Sequence, residues 1–336
     1  MATNLYEKKV MGRGNKEKID VTLGVALPPA RARARGAHEI TIKDAFLSML
    51  NQSFDKERME IIVVHDGSSE QTLSIIKEVA SKSIVRVKFF VTNQDSVSVA
   101  RQTIVNNSKG SFLIFIDSDM ILPKDFVKKQ VEMITKNRTI GVVGANMKGK
   151  LKNSLVAKLE AIAQAPDYEF GVLKKWRQNP RKLGTGGSIF RLEAIKKIGG
   201  FDLQIKGAGE DSDITERIRS AGYSLLFSQA EFQHEFKQNF RSLWNQLVWY
   251  GYGSHYLYHK NRDLTDLIYT YFFPLSFIGG VIRAILSFKS THQKISFLLP
   301  FYNLFKATAW WFGFFKANLE GYEPKISTIM NSNSLL

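Results

Sequence analysis

The sequence predicts an α/β fold: a mixed, mainly parallel sheet flanked by helices. Three observations carry that expectation. Short β-branched and aromatic runs alternate with helical stripes through the first half of the chain, the pattern of βαβ units. One run, Phe112-Leu113-Ile114-Phe115-Ile116, is apolar throughout, as a strand covered on both faces must be. It ends in Asp117-Ser118-Asp119, two carboxylates one residue apart, on the side where open α/β sheets bind ligands.

Taken in order, residues 1–18 read as a mobile basic tail and Ile19 to Leu27 as the first strand. A Pro-, Ala- and Arg-rich patch follows, Pro28 to His38, unlike the Ile-, Lys- and Asn-rich remainder. It is a basic loop touching phosphates, a loop without a role, or a local anomaly of sequence. Ile42, Ala45, Phe46, Met49 and Leu50 form a helical stripe within Ile40 to Asn51. Met59 to Val64 is a second strand, delivering His65 and Asp66 to a Gly67-Ser68-Ser69 turn. Helices over Leu73 to Ser81 and Asn93 to Asn107 bracket a strand at Val85 to Val91.

Beyond the central strand, a helix is expected from Asp125 to Lys136, a strand from Gly141 to Met147, and a helical region around Ser154 to Trp176. Gly184 to Arg191 is a glycine-rich turn entering a strand, and a short helix at Glu193 to Ile198 closes on Gly199-Gly200. Glu210-Asp211-Ser212-Asp213 opens a helix through Ser220, and Tyr223 to Ser228 is the last strand. No G-x-G-x-x-G follows a strand, which disfavours a dinucleotide fold.

The absence of cysteine excludes a disulfide framework and thiolate metal sites. A net charge of +16, from 47 Lys and Arg against 31 Asp and Glu, favours anionic partners. The aromatics fall among long apolar runs, so a solvated nucleic-acid groove is not expected. Met1 to Asp20 has no apolar core of a secretory signal.

Each motif admits two readings. Asp117 and Asp119 either open a turn before Pro123 or share a hard divalent cation, because carboxylates this close repel unless neutralised. Gly186 and Gly187 either make a simple turn or let backbone approach a ligand. Glu210, Asp211 and Asp213 suit a helix N-terminus, but three carboxylates exceed what a cap needs, and one could act as a general base. His234 is a structural histidine or a ligand.

In this order the motifs resemble family 2 of the GT-A glycosyltransferases, inverting enzymes that use nucleotide sugars. The carriers are Asp66-Gly67-Ser68, Asn93 through Ala100-Arg101, Asp117-Ser118-Asp119, Gly184 to Arg191 with Gly199-Gly200-Phe201-Asp202, and Gly209-Glu210-Asp211-Ser212-Asp213. The resemblance covers roughly residues 19–235. It implies a GT-A catalytic domain in which Asp66 binds the nucleotide base, Arg101 assists the donor, and Asp117 meets ribose or metal. It further implies that Asp119 coordinates Mg²⁺ or Mn²⁺ on the diphosphate and that Asp211 deprotonates the acceptor. Gly186, Gly187 and Glu210 would line the acceptor side, and His234 would be an additional metal or phosphate ligand. His65 replaces a common Asp, Gln102 a common Asn, and the Pro/Ala/Arg patch the usual segment after the first strand. The Gln-x-x-Arg-Trp motif of processive synthases is absent, since Arg241 and Trp244 are not adjacent.

The last hundred residues differ in composition. Residues 236–262 read as an aromatic and basic amphipathic connector, and 263–336 as an apolar helical, membrane-associated region. Leu267 to Leu286 and Ile295 to Leu319 are each about long enough to span a bilayer. Lys306 is central and costly in lipid, which fits helices lying in the interface. A membrane hairpin and a helical cap on a soluble domain are the alternatives. With a membrane bound, the expected acceptor is a lipid-linked glycan or polyprenyl phosphate, and the family implies a catalytic domain on the cytoplasmic side of the cell membrane. The contrasting expectation is a catalytically silent, membrane-bound protein that binds sugar nucleotides on the same fold.

Overall fold

The computed structural model describes residues 3–7, 18–27, 37–66, 70–92, 96–150, 154–169, 180–261 and 271–324. The Pro28–Arg35 stretch, the Gly67-Ser68-Ser69 turn and Asn93 lie outside the described residues, as does the Asp66 side chain. The chain divides into two compact units, one built on the sheet and one on helices.

In the first unit, nine strands form one sheet: β1 (Thr3–Glu7), β2 (Val21–Leu27), β3 (Met59–Asp66), β4 (Arg86–Thr92), β5 (Phe112–Ile116), β6 (Met120–Ile121), β7 (Ile140–Lys150), β8 (Ile189–Arg191) and β9 (Ser224–Glu235). Their spatial order is β1-β4-β3-β2-β5-β8-β7-β9-β6. The centre, β4-β3-β2-β5, is parallel, as the continuous apolar runs require. β1 is an antiparallel edge on β4; on the other side β8 pairs antiparallel with β5 and with β7, and β9 with β6. Helices α1 (Ala37–Leu50), α2 (Glu70–Ser81), α3 (Val97–Asn107), α4 (Phe126–Ile134), α6 (Leu192–Lys197) and α7 (Glu210–Ser220) complete the alternation.

The sheet is covered on both faces, which gives two apolar clusters. Val21, Leu23, Val25, Ile61 and Val63 point to one side with α1 and α2 residues. Ile62, Val64, Leu113, Phe115 and Phe190 point to the other with α3 and α6 residues. The alternation of neighbours such as Ile61 and Ile62 between clusters is the two-residue period of a strand. Phe115 is pinned edge-on between Phe190 and Phe201, with ring centroids 5.6 and 5.4 Å away. The strand that presents Asp117 is therefore held rigidly.

Three expectations are corrected. Thr3–Glu7, inside the stretch read as a tail, pairs antiparallel with β4 as an edge strand. The last strand of the sheet domain runs to Glu235 rather than Ser228, with burial alternating along it. Helix α5 (Leu155–Glu169) groups with the C-terminal helices, not with the sheet.

The second unit contains α5, α8 (Phe240–Asn261), α9 (Phe273–Thr291), a 3₁₀ turn (Lys294–Leu298) and α10 (Leu299–Leu319). α8 and α10 cross with backbones in contact: a Cβ on Gly251 would lie 1.8 Å from the Trp310 carbonyl oxygen, and one on Gly313 2.0 Å from that of Val248. Lys306, costly on sequence grounds, is neutralised within the unit, its Nζ lying 3.2 Å from Glu160 Oε1, which also accepts from the Tyr302 hydroxyl at 2.6 Å. Among the described residues, α9 is the one helix long and apolar enough to cross a membrane, so Ile295 to Leu319, about long enough by sequence, does not meet that criterion, which bears against the alternative of a membrane hairpin.

Candidate active site

The site is built on the end of β5. Ile116 is the last strand residue, and the chain turns at once: the Met120 amide donates to the Asp117 carbonyl at 3.1 Å. The Asp117 amide in turn points at Met120 Sδ, 3.3 Å away. This tight reversal feeds β6, whose Met120 pairs with His234 of β9. Strand pairing thus brings His234 to the acidic turn from more than a hundred residues along the chain. Its Nε2 lies 3.3 Å from Asp119 Oδ2.

Arg101 reaches the same place from α3. Its guanidinium lies over the Phe115 ring, 5.8 Å from the centroid, and 3.5 Å from Asp117 Oδ1. The glycine turn closes the opposite side. Gly187 has φ +74°, a backbone region that favours glycine, and its N–H donates to the Phe115 carbonyl at 2.8 Å. A Cβ on Gly186 would fall 2.6 Å from Asp117 Oδ2, so this position must lack a side chain for the carboxylate to sit where it does. Gln130, fully buried, donates to the Gly187 carbonyl at 2.6 Å and fixes the turn. In sequence Gln130 is only a polar residue within a helical stripe, with no motif to single it out.

Asp211 comes from the first turn of α7. Its Oδ1 accepts the Ser212 amide at 2.7 Å, and its carbonyl accepts the Thr215 hydroxyl at 2.8 Å. The helix is anchored through Asp213, which is 1% exposed and receives Arg217 at 2.6 Å. Arg217 also donates to the carbonyls of Ile198 and Gly200, at 3.0 and 2.7 Å. Asp213 therefore serves the helix start, while Asp211 acts electrostatically on Asp117.

The electrostatics identify what the site lacks as protein alone. Burial pushes the Asp117 carboxyl above the usual carboxylate range; Arg101 and His234 oppose that push, while Asp119 and Asp211 add to it. The side chain is still 45% exposed, so solvent screens that push. Three carboxylates repelling across a small space, with an imidazole at 3.3 Å from one of them, match the oxygen and nitrogen donors of Mg²⁺ or Mn²⁺. The residues present fit a divalent cation.

The remaining sequence-predicted residues are placed as follows. Asp66 ends β3 opposite Thr92 of β4, on the same carboxyl side of the sheet as Asp117. Glu210 is 4% exposed and begins α7, but it groups with the helical unit. Gln102, the departure from a common Asn, accepts the Phe201 amide at 2.8 Å and donates to Asn106 at 2.9 Å, a packing role.

The fold is that of the GT-A class. The family model for glycosyl transferase family 2 matches residues 35–199. A probable glycosyltransferase of Bacillus subtilis, YdaM, is 26% identical over 285 residues, covering 77% of this chain and 66% of the relative. A poly-beta-1,6-N-acetyl-D-glucosamine synthase of Staphylococcus epidermidis is 23% identical over 219 residues, covering 64% of this chain and 52% of the relative. The chain thus spans only about half to two thirds of the curated relatives it matches. In fold it is similar to a mannosyltransferase of Pyrobaculum calidifontis solved with GDP-Man and Mn²⁺, with TM-score 0.60 and 13% identity over 91% of this chain and 88% of that one. The match to glycosyl transferase family 2 is thus one of residues 35–199, just under half of the chain, beside a likeness of fold to the mannosyltransferase.

Proposed function

We propose that this enzyme moves a sugar from a nucleoside diphosphate sugar to an acceptor hydroxyl or phosphate at a membrane surface, inverting the anomeric carbon. The observation that carries the reading is the convergence of Asp117, Asp119, His234 and Arg101 beside Asp211 at the carboxyl end of the parallel strands.

In this reading Asp66 holds the base of the nucleotide, and Asp117 meets ribose or metal. Asp119 and His234 would hold Mg²⁺ or Mn²⁺. The cation supplies charge neutralisation at the diphosphate, where negative charge grows as the glycosidic bond breaks. Arg101 adds a fixed positive charge beside Asp117. Asp211 takes the proton from the acceptor oxygen as that oxygen bonds to the anomeric carbon. The bond from carbon to the diphosphate oxygen breaks on the opposite face, and its electron pair leaves with the nucleoside diphosphate. Gly186, lacking a side chain, gives the Asp117 carboxylate its place, and Gly187 lets the turn on the acceptor side pack against Phe232 and Met120. The synthase relative makes a nucleotide-linked N-acetyl-D-glucosamine the first donor to test. With Arg241 and Trp244 three residues apart, one transfer per encounter is proposed rather than processive synthesis.

Membrane association is supported by an inverted burial pattern in α9. The buried stripe is small or polar, Ser276, Gly280, Ala284 and Ser287. The exposed face is large and apolar, with Phe273, Leu275, Phe277, Ile278, Ile282 and Ile285 each at least 37% exposed. A water-facing helix shows the reverse. The acceptor proposed is accordingly a lipid-linked glycan or polyprenyl phosphate on the cytoplasmic side.

The experiment is nucleotide release from a panel of UDP- and GDP-sugars with Mn²⁺ and isolated membranes as acceptor. Release with one donor that Asp211→Asn abolishes supports the reading. Tight donor binding with no turnover under any acceptor would instead support a silent sugar-nucleotide-binding protein.

A further inference from the structure

A second group of metal-type donors lies within the helical unit, made of residues that the reading above does not use. His255 and His259 are four apart on α8, so both imidazoles project from one face, with ring centroids 4.5 Å apart. Glu323, just past α10, sets Oε1 3.6 Å from His259 Nε2. One donor atom from each of the three falls within 4.8 Å of the others.

The hydrogen bonds of His255 decide its chemistry. It is 1% exposed, and its Nδ1 lies 3.0 Å from the Tyr322 carbonyl oxygen. A carbonyl only accepts, so Nδ1 carries the hydrogen, and in the neutral ring Nε2 keeps a lone pair. That lone pair faces Asn318 Oδ1 at 3.3 Å, which is an acceptor too. A metal ion held between that lone pair, the Asn318 oxygen, the second imidazole and the carboxylate would satisfy all of them at once. An imidazole with Nδ1–H tied to a backbone carbonyl and Nε2 turned into such a group is the arrangement that orients metal-bound histidines.

We propose that His255, His259 and Glu323 bind a divalent transition metal of borderline softness, Zn²⁺ being the best match, with Asn318 Oδ1 or water as fourth ligand. Ligand atoms of a tetrahedral zinc shell lie roughly 3.3 Å apart, given bonds of about 2.0–2.1 Å. The separations of 3.3 and 3.6 Å already approach that, and small side-chain rotations complete the shell. The metal would join α8 to the chain just beyond α10, a structural role within this unit. Nothing in the proposal depends on the glycosyltransfer reading.

The test uses the full chain carrying Asp119→Ala, which removes a competing donor at the candidate active site. After chelator treatment, Zn²⁺ is added back and bound metal is counted by equilibrium dialysis, with Co²⁺ absorbance reporting a four-coordinate N/O site. The expected result is one equivalent of Zn²⁺ bound, displacing Co²⁺ and raising Tm. His259→Ala and Glu323→Gln should each weaken Zn²⁺ by at least about 10–100-fold, the loss seen even when only a partner of a ligand is removed. Both side chains are substantially exposed, so at least one variant should fold and report. Failure to bind Zn²⁺, or binding untouched by both substitutions, overturns the proposal. The second outcome would mean that the Asn318 amide is turned over and donates to His255.

Discussion

The two ends of the parallel sheet treat their carboxylates in opposite ways. At the amino end Glu60, fully buried, accepts the Thr22 hydroxyl at 2.9 Å, the Lys109 amide at 2.7 Å and the Lys88 ammonium at 2.8 Å. Both oxygens have donors, and the charge is paired with an ammonium. At the carboxyl end Asp117 has a guanidinium at 3.5 Å on one oxygen and two further carboxylates acting against it. The same fold can satisfy a buried acid completely, so the incomplete arrangement at the other end is not a limit of the scaffold. It leaves room for a cation and a ligand. One end is organised for stability and the other for binding.

Substitutions at the two ends should therefore separate activity from stability. The largest effect is expected at Asp211: Asp211→Asn should lower kcat by about 10²–10⁴-fold, the usual contribution of a positioned base, while leaving Tm within a few degrees. Stopped or continuous nucleotide-release assays beside thermal unfolding read both quantities. Next is Glu60→Gln, which leaves Lys88 buried with its charge unpaired. The expected cost is about 3–5 kcal/mol of stability, seen as a lower midpoint in denaturant, with donor affinity of the folded protein unchanged. Gly186→Ala should follow, costing about 10²-fold in kcat/KM by displacing the Asp117 carboxylate, with little loss of Tm.

The smallest effect concerns pH. The Asp117 carboxyl of the folded, metal-free protein is raised, so the folded state holds its proton more tightly than the unfolded chain does. Its contribution is stabilising below the ordinary carboxylate pKa and is lost as pH rises through the raised value. Above that window the charge is a burden, and Asp117→Asn should stabilise the metal-free protein near neutral pH by no more than about 1 kcal/mol, because the side chain is 45% exposed. Mn²⁺ should weaken as pH falls through the same window in the wild type. Tm measured against pH with and without Mn²⁺ checks both signs.

The sequence makes the centre of the fold legible because β2, β3 and β5 are covered on both faces and read as unbroken apolar runs. It makes Asp117 and Asp119 legible because they end such a run. The edges are harder. Thr3–Glu7 has no apolar period of its own and exists by pairing with β4. β9 continues past Ser228 through Gln229, Glu231 and Gln233, outward residues of a strand covered on one face, which sequence reads as a loop. That extension carries His234 to Asp119, so missing it hides the geometry even where the residue is singled out. The Glu60–Lys88 pair joins residues 28 apart, and Gln130 acts on a backbone 57 residues away; no local pattern encodes either. α5 looks like another flanking helix because its partners in α9 and α10 lie more than a hundred residues on.

The central claim is that the carboxyl end of the sheet gathers one cation and one sugar diphosphate. Calorimetric titration of UDP and GDP into the purified full chain, with Mn²⁺ and again with excess EDTA, tests it most directly. The account predicts that one nucleotide binds only with Mn²⁺ and that Asp119→Ala weakens it by at least about tenfold, or roughly 1.4 kcal/mol, at unchanged Tm. Nucleotide binding that is indifferent to EDTA and to Asp119→Ala would contradict it.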